Sequence, residues 1–75
     1  MTPATLARIG TLMYGEDFAP RLAIDVGSSA RNIRRYVRGD RRVPAWMPGR
    51  IEVAATRRVK ELSAMVEELQ AESGI

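Results

Sequence analysis

Apolar residues recur at helical spacing in four stretches of this 75-residue chain, each closed or opened by glycine or proline. The first stretch opens on Thr2-Pro3, a threonine cap followed by proline at a position needing no amide. Leu6, Ile9, Leu12 and Met13 then share one face before Gly15 ends the run. Gly10 interrupts this face at a cost of about 1 kcal/mol relative to alanine; it either admits a close crossing or is simply tolerated. A second, shorter helix is expected after Asp17 as cap, with Pro20 in its first turn, Leu22, Ala23 and Val26 buried, and Gly27 as its stop. Ser29 caps a third helix over about Ala30 to Val37, in which Ile33, Tyr36 and Val37 face inward and Gly39 closes the end.

Asp40 to Gly49 reads as loop, since Pro44, Pro48 and Gly49 break any long helix, with at most a single turn around Ala45-Trp46-Met47. Trp46, the one tryptophan, reads as a plug over the three-helix unit rather than as a base-stacking residue. From about Arg50 to Gln70 runs the longest helix, with Ala55, Val59, Leu62, Val66 and Leu69 at alternating spacings of four and three. Ile51 and Met65 widen that stripe. The expected fold is therefore all-α, with no internal repeat. Residues 1–46 form a three-helix unit, and 47–75 form a long helix that completes the core and dimerises.

Composition narrows the chemistry. With no cysteine and no histidine, disulfides, thiolate metal sites and the commonest neutral-pH base are excluded, so no metal, no cofactor and no enzyme is expected. Asp17, Asp25 and Asp40 read as a cap, an exposed charge and a loop residue rather than as a catalytic set. The apolar runs are far too short to span a membrane, and MTPATLAR lacks the features of a secretion signal, so a cytoplasmic protein is expected. At this size a single core supplies only a few kcal/mol, which makes a second subunit the natural source of further stability.

Charge is unevenly placed. Arg31, Arg34, Arg35, Arg38, Arg41 and Arg42 stand against Asp40 alone, a net +5 over positions 31–42. The whole chain carries only +3, so the remainder is −2. Such a concentration faces a polyanion. Two short helices joined by a glycine turn, the second carrying arginines on its outer side, make a helix-turn-helix. Ala23 permits close approach of the pair, Gly27 supplies the turn, and Leu22, Val26, Ile33 and Tyr36 form the interface.

The segment LAIDVGSSARNIRRYVRGDRRVP resembles the helix-turn-helix of the Cro and phage-repressor type. Leu22-Ala23, Val26-Gly27, Ser29, Ile33-Arg34-Arg35-Tyr36, Gly39 and Arg41-Arg42-Val43-Pro44 follow that family's pattern in order. Ser28 departs from it, standing where the family usually has valine or isoleucine; the turn is then either less well anchored or gains an extra cap. The resemblance implies a recognition helix in the major groove of double-stranded DNA. Ala30, Arg31 and Arg35 would meet base edges with Arg34 beside them, and Ser29, Asn32, Arg38, Arg41 and Arg42 would hold phosphates. Arginine at a base edge suits guanine O6 and N7. The resemblance further implies a small phage or mobile-element repressor, with an autorepressor accompanying anti-CRISPR genes as one variant; one long helix stands in place of the ligand-binding domain of longer repressors, so no small-molecule ligand is expected.

Beyond that segment, Glu61, Glu67, Glu68 and Glu72 give −4 over positions 61–72 with no basic residue, so this end should turn away from DNA. Arg50, Arg57 and Arg58 lie close enough to the basic stretch to reach phosphates. Ala55, Val59, Leu62, Val66 and Leu69 are the candidate dimer interface, placing two recognition helices about 34 Å apart on an inverted repeat. The leading expectation is a homodimeric repressor. The alternatives are an adaptor or antitoxin whose last helix binds another protein, and, less favoured, an RNA-binding arginine face, since Tyr36 points inward and leaves no stacking platform.

Overall fold

The computed structural model describes residues 1–74 as four helices with no strand among them: α1 (Pro3–Tyr14), α2 (Ala19–Val26), α3 (Ala30–Arg38) and α4 (Met47–Glu72). The predicted segment 47–75 ends on Ile75, outside the described residues. α1 and α3 begin at side-chain caps, and each of the first three helices ends at a glycine. Thr2 accepts the Thr5 N–H at 3.1 Å, and Gly15, Gly27 and Gly39 close α1, α2 and α3 with positive φ.

α2 is the central element and touches each of the other three. Leu6, Leu22, Val26, Ile33 and Met47 are fully buried, and Phe18, Ala19, Ala23, Tyr36, Val43, Ile51 and Ala54 complete the core. The radius of gyration is 14.8 Å, against about 11 Å for a compact chain of this length. The excess is α4, whose residues from Val59 to Glu72 are exposed along one long arm of a 52 × 21 × 18 Å molecule.

Four expectations are corrected. Asp17 does not cap α2. The helix starts one residue later, with Phe18 at the capping position and no side-chain bond there, because the Phe18 ring turns inward. Pro20 does lie in its first turn. The stretch before α4 is shorter than expected: Met47 begins the helix, so Pro48 and Gly49 fall in the first turn, where proline displaces no hydrogen bond. Trp46 is not the core plug; it is 40% exposed, whereas the adjacent Met47 is fully buried. Met47, the first residue of α4, enters the core, while the Trp46 ring at the capping position stays outside against Arg50. Leu12, expected inside, is 81% exposed beside α4.

Gly10 is explained by contact rather than propensity. A Cβ at this position would lie 2.3 Å from the Phe18 ring, so the ring covers the α1 backbone only because the side chain is missing. Gly10→Ala gains about 1 kcal/mol of helix propensity, yet the overlap costs roughly 1–3 kcal/mol. The expected outcome of thermal unfolding followed by circular dichroism is a lowered midpoint. The loss should shrink in a Phe18→Leu background, where the two positions couple; a raised midpoint in the parent background contradicts this packing.

Candidate nucleic-acid interface

The turn between α2 and α3 is fixed almost wholly by backbone. Gly27 takes φ 71° and ψ 43°, the Ser28 N–H donates to the Ala23 carbonyl at 2.9 Å, and the Gly27 N–H to that of Ile24 at 3.4 Å. This pair of bonds is the Schellman ending of α2. Ser29 then caps α3 through its hydroxyl, accepting the Asn32 N–H at 3.1 Å. Ser28 is thus not an extra N-cap. The further anchor on this turn comes from α4: Arg50 Nη1 donates to the Val26 carbonyl at 2.8 Å and lies 3.2 Å from where a Gly27 Cβ would stand. Gly27 is required by its dihedral angle, and a side chain there would also crowd this guanidinium.

The far end of α3 repeats the arrangement, with the Gly39 N–H reaching the Tyr36 carbonyl and the Asp40 N–H the Arg35 carbonyl at 3.0 Å. A nine-residue helix is thereby defined at both ends. Ile33 and Tyr36 are buried, with Ala30 and Val37 packed against the same core. Arg31, Arg34 and Arg38 are exposed, while Arg35 and Asn32 are half-buried. At 3.6 residues per turn, positions 31, 34, 35 and 38 fall within an arc of about 100°. Arg41 and Arg42 continue this basic surface into the following loop, both exposed.

Arg31, Arg34, Arg35 and Arg38 therefore share one outer surface with Arg41 and Arg42 following, whereas Ala30 leans on the core, Asn32 is half-buried beside the ridge, and the Ser29 hydroxyl caps the helix. Arg38 is not unengaged: its Nε donates to Asp40 at 3.1 Å, both side chains being more than half exposed. Glu16 and Asp17 line a cleft with Arg34 and Arg38, an acidic flank that sequence spacing did not associate with α3.

Two arginines expected near phosphates are committed elsewhere. Arg50 bonds Val26 and stacks over the Trp46 ring at 4.4 Å. Arg58 Nη2 donates to the Met13 carbonyl at 3.2 Å, with its guanidinium 5.7 Å from the Tyr14 ring. The i, i+4 spacing of Trp46 and Arg50 was the available signal for the first. Arg57 remains exposed. Asp25 is not merely an exposed charge, for it accepts the Tyr14 hydroxyl and joins α1 to α2.

Among the described residues no cluster of metal-ligating side chains occurs and no helix is long and apolar enough to cross a membrane. The fold and this surface define a class: an all-helical chain in which α2, a glycine turn and the arginine-bearing α3 pack together, with α2 resting on one long helix. No protein family, no curated protein and no solved structure matches the chain.

Burial, reinforced by the bond to Asp25, pushes the Tyr14 hydroxyl up from 10.0 to about 12. Above pH about 10 an unfolded tyrosine loses its proton while Tyr14 in the folded protein keeps it, so folding stability falls as pH rises from about 10 to about 12. Denaturant midpoints measured across that window should drop more steeply for the parent than for Tyr14→Phe. Parallel curves would show that Tyr14 contributes nothing to the slope.

Proposed function

We propose that this chain is a homodimeric transcriptional repressor that binds double-stranded DNA sequence-specifically, at an inverted repeat, with α3 in the major groove. One observation carries the reading: α3 buries Ile33 and Tyr36, is capped at both ends, and holds Arg31, Arg34 and Arg35 on its outer side with Arg41 and Arg42 following. A rigid short helix with an arginine ridge suits groove entry, and flanking arginines suit phosphates. Arg31 and Arg35 read bases with Arg34 beside them. Ser29, Asn32, Arg41 and Arg42 hold the backbone, and Arg38 joins them through its free guanidinium nitrogens, its charge partly offset by Asp40. The protein acts in the cytoplasm, repressing the operon of a phage or mobile element, its own promoter included. No cofactor or small ligand is part of this reading.

Selection of binding sites from random duplex DNA tests specificity, half-site spacing and symmetry together, and guanine-containing half-sites are the expected outcome. On the selected operator, Arg31→Ala and Arg35→Ala should each cost roughly 1–3 kcal/mol and relax base preference. Arg41→Ala should weaken binding evenly across sequences and flatten the salt dependence by about one. Arg38→Ala should cost less than Arg41→Ala because of its pairing with Asp40. Unchanged affinity of all four variants for operator and random duplex would rule out this placement of α3. If α4 serves a different protein instead, as an adaptor or antitoxin requires, light scattering of the isolated chain gives a monomer.

A further inference from the structure

The exposed apolar stripe of α4 is not an even strip, because its flanking charges change sign along it. Val59, Leu62, Val66 and Leu69 are each about half exposed or more, and Leu12 of α1 lies in one shallow groove with Ala55, Val59 and Leu62. Arg57, Arg58 and Lys60 mark the end nearer the core, whereas Glu67, Glu68 and Glu72 mark the far end. Resting on the homodimer of the reading above, we propose that the occupant is a second copy, with the two α4 helices antiparallel and centred at position 64.

In that register Leu62 lies opposite Val66 of the partner subunit, and Val59 opposite Leu69 of the partner subunit. By symmetry this gives four apolar layers. Shifting by a heptad in one direction sets Leu69 against the acidic Glu52; shifting in the other sets Leu62 against Ser73. Along one flank Arg58 faces Glu72 of the partner subunit, twice, with Met65 meeting its own copy between them. The bond to Met13 uses one Arg58 nitrogen and leaves the rest of the fork available. Along the other flank stand neutral residues only: Thr56, Ser63 and Gln70. A parallel pair instead brings the acidic ends of both copies side by side. The antiparallel partner also brings Leu69 of the partner subunit against Val59 and the neighbouring Leu12, which covers the one large apolar side chain of α1 that the core leaves exposed.

Length agrees with this register. Ala54, the last buried residue of α4, stands about 15 Å from position 64 at 1.5 Å per residue, so the two heads sit about 30 Å apart along the helices. That approaches the ~34 Å between successive major grooves. Parallel helices would place the same residues only about 10 Å apart.

The absence of cysteine makes disulfide trapping clean. In this register Val59→Cys is about 15 Å along the axis from its own copy, as is Leu69→Cys, too far for a disulfide. Each variant alone should stay uncrosslinked on oxidation, while an equimolar mixture refolded together should give the covalent heterodimer on a non-reducing gel. Thr56→Cys with Gln70→Cys, both on the polar flank, should behave in the same way and do not touch the apolar stripe. Covalent homodimers of the single variants would overturn the antiparallel arrangement and establish the parallel one. Light scattering on the parent separates the two levels: a monomer overturns the homodimer itself, and a dimer that traps in neither mixture overturns only the register.

Discussion

Two guanidinium groups on α4 hold the ends of two other helices, and the rest of the molecule depends on that attachment. Arg50 meets the last carbonyl of α2 and Arg58 the penultimate carbonyl of α1. Both sites are helix C-termini, where unsatisfied carbonyls and the helix dipole favour a cation by about 0.3–1 kcal/mol. Between them Met47, Ile51 and Ala54 enter the core. Spacings of four, three and four set Met47, Ile51, Ala54 and Arg58 on one seam, so the apolar contacts and the terminal arginine share a single register. A one-residue slip of α4 would turn this seam about 100° away and release both helix ends at once.

That seam also explains why α4 carries a second one. Ala55, Val59, Leu62, Val66 and Leu69 lie roughly 80° around the helix from the first, close enough to form one broad apolar band. The three short helices reach only the first turns and only one edge of it. The other edge stays open, extended by Leu12 from α1. A core of a dozen small and medium side chains is near the lower limit for independent folding. In such a chain an uncovered band of this length supports the proposed pairing of two copies.

Most of the first 40 residues could be read in the sequence because local chemistry decides them. Thr2, Ser29, Gly15, Gly27 and Gly39 each act within a few residues of themselves, and the inward set Leu22, Val26, Ile33 and Tyr36 follows from period alone. What escaped was decided by distant contacts. Phe18 is buried because Gly10 leaves room for its ring, and this displaces the start of α2 past Asp17. Trp46 and Met47 are adjacent and both apolar. The choice between them belongs to the register of α4, which the bonds of Arg50 to Val26 and of Arg58 to Met13 help to set, and neither bond has a local signature. The outward placement of the α3 arginines was legible for the same periodic reason. The Arg38–Asp40 pair and the acidic flank at Glu16 and Asp17 were not, since both depend on how α3 ends and how the α1–α2 loop approaches it.

The α3 arginines are also an internal liability, and this bears on what they are for. Arg31 with Arg34 and Arg35, and Arg38 with Arg34 and Arg35, are like-charge neighbours at spacings of three and four. Each such pair opposes the helix by about 0.2–0.5 kcal/mol, so the four together oppose it by about 1–2 kcal/mol. Asp40 offsets part of this at Arg38 alone. In a chain whose core contributes only a few kcal/mol, that is a sizeable fraction of the total. Two capped ends and two buried inner residues keep α3 formed against the repulsion. In the proposed complex a phosphate-lined groove would offset the repulsion, because the same four guanidinium groups would then face negative charge. A costly ridge on a helix capped at both ends suits the proposed binding surface for an anionic polymer, whereas a solvated face gains nothing from it.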